Sequence, residues 1–456
     1  MLMMVGALSF SGSAGVGHNY TYVKSNFITM PFSADNITNQ TSVNMSSNAS
    51  LRSFPYPYRA GLAICSDCDG CTRDKFIEVH KFLNTKENTT IGPGVGLEIS
   101  DTFFPYTTIK GEMAYFLPNS TNRSADADLI EKYFHSGYID SMHSFGDFEK
   151  GKFSRQLAIK ILAELKKAGI APLVYINHGS RKNTQNIGHC FPWCGYCEGD
   201  NPHASEYHTD ISVYQNEPNK GGPFRFLWKS DITANVGYNP LQVVTLADGR
   251  MINAFVRYST TKKGAIKWHL DNLQDQISDE NLAKLISSGK YMIIANHLCY
   301  IPPGFDNSSI FNDRDVAALR NLAKKYEDGL IYVAPTSKLL MYSLVHDNLK
   351  WNWRGNESII NINIQNVSDP ASGNFTPSEE QLQGITFYTP NPEITHVYVT
   401  GTEIKDLEKN PSDYKGRKSV TIPIRHLPPL PEIEHNSELH PLSDPVALMA
   451  HFFHLL

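Results

Sequence analysis

The sequence predicts an α/β fold: a mainly parallel sheet covered by helices, with a smaller β domain behind it. Two observations carry that reading. Between residues 153 and 334 one local plan recurs three times, an amphipathic helix, then a glycine, then a short apolar run. After Trp351 the pattern switches to short, partly alternating β runs separated by turns rich in Gly, Pro and Asn.

Taken in order, residues 1–57 are polar, rich in glycosylation sequons and without periodicity, and read as an arm. Residues 2–8 are apolar and 11–14 small, a weak signal segment with no Lys or Arg before it. An apolar strand over 60–65 then leads to Asp67 and Asp69. A weaker strand candidate covers 96–100, and a further one over 138–142 leads to His143.

The three repeats follow. A helix over 153–168 carries Leu157, Ile161, Leu162 and Leu165 on one face; Gly169 ends it, and a strand over 171–176 leads to Asn177 and His178. Ser278 caps a helix with Leu282, Leu285 and Ile286; Gly289 ends it, and a strand over 291–295 leads to Asn296 and His297. Residues 312–328 form a helix with Leu319, Leu322, Ala323 and Tyr326 inward, before Gly329 and a strand over 330–334. The glycines supply the left-handed residue that reverses the chain. Continuous apolar strands belong to a sheet with both faces covered. The expected division is 1–57 arm, 58–350 barrel, 351–430 antiparallel sandwich-like β domain, and 431–456 linker and tail.

Composition narrows the function. The chain has 456 residues, 41% of them hydrophobic and 11% aromatic, enough for two or three cored domains and against disorder. Charged residues are only 19% and the net charge is −5, so the basic patch that nucleic acid requires is absent. The longest apolar run, about 2–10, falls short of the ~18–20 residues of a membrane helix.

Six of the seven cysteines form two triplets, Cys65, Cys68, Cys71 and Cys190, Cys194, Cys197, with Cys299 apart. Disulfides in an oxidising compartment are the favoured reading; zinc ligation and free thiols are the alternatives. Twelve of 35 asparagines head Asn-x-Ser/Thr sequons, about twice the chance rate, which points to a secreted, extracellular glycoprotein.

Polar groups at strand ends carry the chemistry, because parallel strands bring those ends to one barrel mouth. In Ser66-Asp67-Cys68-Asp69-Gly70 two carboxylates can divide labour, one on a divalent metal and one taking a proton from water. His143-Ser-Phe-Gly-Asp147 adds an imidazole and a carboxylate four residues apart. Joined with an Asp from the first strand it makes three ligands for zinc or a similar divalent ion, with positions open for water.

These residues, in this order, resemble the polysaccharide deacetylase superfamily. The stretch from Arg59 to Gly70 is similar to the first family motif, which implies Asp67 as base and Asp69 as metal ligand; Cys68 between them departs from the usual adjacent pair. His143-Ser-Phe-Gly-Asp147 is similar to the second, which implies His143 and Asp147 as ligands, with Asp147 standing where the family has a second His. The strand ending at His297 is similar to the last, which implies His297 as the acid. The resemblance covers about 58–345 and implies a distorted (β/α) barrel of the deacetylase type.

Asn177, His178, Arg181, Asn183, Gln185, His208 and Asp210 suit the hydroxyls of a glycan, and Trp193, Trp228 and Trp268 could stack on sugar rings. The expected function is that of a secreted, metal-dependent hydrolase removing an acetyl group from a glycan. The alternatives are a catalytically degenerate glycan-binding protein and a two-carboxylate glycoside hydrolase.

Overall fold

Seven parallel strands close into a barrel whose order around the ring is their order along the chain: β1 Ala60–Ser66, β2 Asp101–Tyr106, β3 Ile139–Met142, β4 Val174–Ile176, β5 Phe226–Thr233, β6 Met251–Tyr258 and β7 Tyr291–Asn296. The computed structural model describes residues 49–145, 155–176, 223–245, 251–262, 265–266, 272–300 and 310–433.

Closure is uneven. β7 pairs with β1 from Gly61 to Ser66, whereas β2 meets β1 only at Ser66 opposite Asp101. The first half of β1 pairs instead with an eighth parallel strand, β8 Ile331–Val333. The barrel is therefore distorted at the seam beneath Asp67.

Helices α1 Arg73–Asn84, α2 Ala127–His135, α3 Arg155–Lys167, α4 Asp279–Ser288, α5 Asp313–Glu327 and α6 Thr336–Asn348 cover the sheet. The ends expected for α4 and α5 are present. Ser278 Oγ accepts from Asn281 N–H at 3.4 Å, and Gly289 takes the left-handed conformation at φ 58°. Asn312 Oδ1 accepts from Arg314 and Asp315 N–H at 2.9 and 3.0 Å. Each such cap contributes about 1 kcal/mol. Every residue of β1 and β7 is buried, the reason both read as unbroken apolar runs.

The strand expected at 96–100 lies one step later, as β2. The backbone of 96–100 is occupied by the end of α1: Leu97 N–H donates to Leu83 O at 2.8 Å, and Asn84 Nδ2 donates to the carbonyls of Leu97 and Ile99. A ladder cannot form on groups already bonded. Strands β5 and β6 carry no sequence expectation. Asn253 and Arg257 of β6 are buried polar residues, which interrupts the apolar run that signals a covered strand.

The C-terminal domain has two sheets around one core that joins Ile362, Ile364 and Val397 to Phe387 and Val420. In the first, β9 Leu349–Gly355 and β10 Ile360–Asp369 are antiparallel, but β11 Thr395–Val399 pairs with β10 in parallel, so this sheet is mixed rather than wholly antiparallel. The second is antiparallel and includes Ser50–Leu51, paired to Thr386–Tyr388. Residues 49–57 thus belong to this domain rather than to an arm. Buried Arg52 fixes them by donating to the carbonyls of Phe54, Pro55 and Pro57 and to Asp413 Oδ2 at 3.0 Å.

Asp369 joins the domains, accepting from Asn253 Nδ2 at 3.0 Å and facing Arg225 Nη2 at 3.4 Å. Residues 427–433, at the expected junction of β domain and linker, run back along the barrel, where Leu427, Leu430 and Ile433 pack on its core. Glu98 Oε1 accepts from Leu427 N–H at 2.9 Å, and Tyr138 Oη donates to Pro428 O at 2.7 Å. Among the described residues no helix is long and apolar enough to cross a membrane.

Candidate metal centre

Three strand ends deliver the site: β1 runs into Asp67, β3 into His143 and β7 into His297. Asp69 Oδ2 lies 3.3 Å from His143 Nε2 and 3.5 Å from His297 Nε2. Asp67 Oδ2 lies 3.9 Å from each imidazole. Asp67, Asp69 and His297 bring ligand atoms within 4.8 Å of one another, a group that could hold a metal ion.

The donors fit a divalent cation. Asp69 Oδ2 is buried and makes no hydrogen bond, although two imidazole nitrogens stand within 3.5 Å. Ligand atoms ~2.0–2.2 Å from one ion are spaced by about 3–3.5 Å in a tetrahedral arrangement. Carboxylate oxygen and imidazole nitrogen are a borderline-hard set suited to zinc and similar ions.

The ligand-bearing turn is pinned at successive amides. Asp67 N–H donates to Asn296 O at 2.8 Å, Cys68 N–H to Thr102 Oγ1 at 2.9 Å, and Gly70 N–H to Glu112 Oε1 at 2.7 Å. Gly70 has φ +66°, and a Cβ there would stand 2.5 Å from the Tyr300 ring. Only glycine lets the chain turn away beneath that ring. His143 N–H donates to Phe103 O at 2.8 Å, its Nδ1 engages Ser144 Oγ at 2.9 Å, and its ring packs 4.5 Å from Phe104. His297 N–H donates to Asn296 Oδ1 at 2.8 Å, and Asn296 Nδ2 donates to Gln276 Oε1 at 2.7 Å. Such outer partners fix ligand orientation.

Electrostatics follow from burial and partners. Burial raises the Asp69 carboxyl, but the His143 and His297 imidazoles overcome that and hold it well below the ordinary carboxylate range. Arg257 is wholly buried; its Nη1 donates to Asp67 Oδ1 at 2.7 Å, and its guanidinium lies 3.6 Å from the centroid of the Trp228 ring. Burial disfavours that cation, and Asp67 and Cys65 more than restore it.

A second buried cluster lies behind the site. His80 Nε2 and Asp101 Oδ2 are 3.9 Å apart, and Cys299 Sγ is 3.8 Å from the same oxygen. Burial pushes the Asp101 carboxyl up to about 8 and the His80 imidazole down to about 4.

Of the residues singled out in the sequence, Asp67, Asp69, His143 and His297 come together. Asp147, expected to be a metal ligand, lies outside the described residues. So do Asn177, His178, Arg181, Asn183, Gln185, His208 and Asp210, as well as Trp193 and Trp268. Trp228 is described and is not a sugar platform: it is buried beneath Arg257. The disulfide expectation also fails at the first triplet. Cys65, Cys68 and Cys71 are free buried thiols, as is Cys299. Cys65 lies in strand β1, and its side chain packs with Ala63 and Ile293 in a different cluster from that of Cys68 and Cys71.

Arg257 and Glu112 were missed. An arginine inside a strand that otherwise reads Phe255-Val256-Arg257-Tyr258 was the available signal, since an unpaired guanidinium does not sit in a barrel interior. Glu112 stands in the loop that follows β2 and carries no local pattern.

The chain gives no match to any protein-family model, to the curated proteins or to the solved structures.

Proposed function

We propose that this chain is a metal-dependent carbohydrate deacetylase that hydrolyses an N- or O-acetyl group of a glycan outside the cell. The observation that supports it most is the placing of Asp69 Oδ2 against two imidazole nitrogens with Asp67 beside them. The order of the motifs along the chain agrees with the family it resembles.

Exposure and partners separate the roles. His143 is fully buried, out of reach of a substrate, and serves with Asp69 as a ligand. His297 is 14% exposed and reaches the mouth, so it is the acid that protonates the leaving nitrogen or oxygen. Asp67, with Oδ1 held by Arg257, keeps Oδ2 toward the site and takes the proton of the attacking water. A divalent cation held here, such as zinc, would supply Lewis acidity, lowering the pKa of water towards ~7 and polarising the acetyl carbonyl.

The test is acetate release from acetylated chitin, xylan and host-type glycans, with and without added Zn²⁺, beside metal analysis of single variants. Asp69→Ala and His143→Ala are expected to lose both metal and turnover. His297→Ala separates the two ligand sets the site allows: metal kept with a rate loss of about 10²–10⁴-fold supports its role as the acid, whereas metal lost makes it a ligand beside Asp67 and Asp69. Metal retained with no acetate released from any substrate overturns the deacetylase reading in favour of a glycan-binding protein.

A further inference from the structure

We infer that Glu112 is a positioning residue that clamps the Asp67–Gly70 turn and thereby sets the metal affinity of the site. Its consequence for affinity rests on the metal reading above; its geometry does not.

Glu112 lies between β2 and β3, on a different loop from the candidate ligands, and it is buried. Its two oxygens are divided. Oε1 accepts from the N–H of Gly70, the residue after Asp69, at 2.7 Å. Oε2 accepts from Thr107 Oγ1, which itself receives Ile109 N–H at 3.2 Å. One residue on, Met113 N–H donates to Cys71 O at 2.7 Å. The 107–113 loop therefore grips the turn at two successive residues, once through a side chain and once through backbone.

The turn needs such a grip. Gly70 sits at positive φ, and glycine is the residue with most conformational freedom to lose. Asp69 stands immediately before it, 26% exposed, with Oδ2 in no hydrogen bond. Asp67 and Cys68 are anchored to strand neighbours, whereas Gly70 is anchored by Glu112. Without Glu112 the Gly70 amide has no acceptor and the Asp69 side chain is free to swing from the imidazoles. No cation contacts Glu112 among the described residues, and burial pushes its carboxyl up to about 7. A buried carboxyl without a cationic partner is unfavourable for stability alone, and here its two oxygens are satisfied by Gly70 N–H and Thr107 Oγ1. Outer-sphere groups of this kind typically contribute 10–100-fold to metal affinity.

Glu112→Gln and Glu112→Ala separate positioning from charge. The glutamine keeps an oxygen for Gly70 N–H and an amide for Thr107 Oγ1, but no charge; the alanine keeps neither. Zn²⁺ affinity, read by competition with a chromophoric chelator, is expected to fall 10–100-fold in Glu112→Ala and to stay within about threefold of wild type in Glu112→Gln. Glutamine as weak as alanine, or alanine as tight as wild type, overturns the inference. Amide hydrogen exchange at Gly70 in metal-free protein supplies the metal-independent arm. Protection is expected in wild type and Glu112→Gln and not in Glu112→Ala, with thermal melts confirming that all three are folded. Should Glu112→Ala fail to fold, Thr107→Val, which loosens Glu112 by removing its second arm alone, takes its place; it is expected to lower both Gly70 protection and Zn²⁺ affinity by a smaller factor, and no change in either overturns the inference. Wild type that binds no Zn²⁺ but shows this exchange pattern sinks the metal reading and leaves the clamp. An unprotected Gly70 amide in wild type sinks the clamp itself.

Discussion

Arg257 and Asp67 form a buried ion pair, Nη1 to Oδ1 at 2.7 Å, with the face of Trp228 closing the other side of the guanidinium at 3.6 Å. Both side chains are almost completely withdrawn from solvent. The pair joins β6 to the end of β1 across the barrel interior, since β7 lies between those strands in the sheet. It thus couples the catalytic base proposed above to the barrel wall.

Arg257→Met leaves Asp67 buried without its cation, and removing one partner of a buried pair costs about 3–5 kcal/mol. Equilibrium denaturation is expected to show a loss of that size. The double variant Asp67→Asn/Arg257→Met is expected to recover part of it, because no uncompensated charge remains. Equal stability of wild type and Arg257→Met would show that the pair does not hold the strands together.

Asp101 provides a pH test. Burial raises its carboxyl from 3.8 to about 8 in the folded chain, so the folded state binds the proton more tightly than the unfolded one. A group raised in this way contributes its full stability below about pH 4 and loses it as pH climbs through about 8. Asp101→Asn is neutral at every pH and keeps an oxygen for Thr102 N–H, which donates to Oδ1 at 2.8 Å. At pH 8–9 the variant is expected to be more stable than wild type by about 1–3 kcal/mol, with the gap closing towards pH 4. His80, lowered to about 4, acts with the opposite sign between pH 4 and 6.5 but is present in both proteins. Urea melts at pH 4.5, 6.5 and 8.5 read the difference; a gap independent of pH would refute the assignment.

The thiols give a third expectation. Cys65, Cys68, Cys71 and Cys299 are buried, and burial pushes the Cys65 thiol up to about 12. Only the thiolate reacts. Iodoacetamide on native protein at pH 8 is expected to leave these four unlabelled for hours, and to label all four within minutes in denaturant without reductant. Peptide mass mapping reads each position separately from Cys190, Cys194 and Cys197. Labelling that needs prior reduction would mean that disulfides form at these positions.

How much of this was legible beforehand depends on what each residue had to signal. Helices α4 and α5 announced both ends, because capping is local: Ser278, Gly289 and Asn312 act on amides within a few residues. Strands β1 and β7 announced themselves because helices cover one side and packed core the other. β6 did not, since Arg257 and Asn253 face partners brought from β1 and from the second domain. Likewise the 427–433 segment shows no local sign of its docking, because its hydrogen-bond partners Glu98 and Tyr138 lie some 300 residues earlier in the chain.

By itself, then, the sequence determined the α/β class, the limits of helices α4 and α5, and the polar residues that terminate β1, β3 and β7. Each of these follows from periodicity or from hydrogen bonds spanning a few residues. Only the tertiary structure decided that Asp69 meets His143 and His297 at one point, that Arg257 neutralises Asp67, and that Glu112 holds Gly70. Those relations depend on barrel closure and strand stagger, which are set by the packing of all seven strands together and leave no mark in any short stretch of chain.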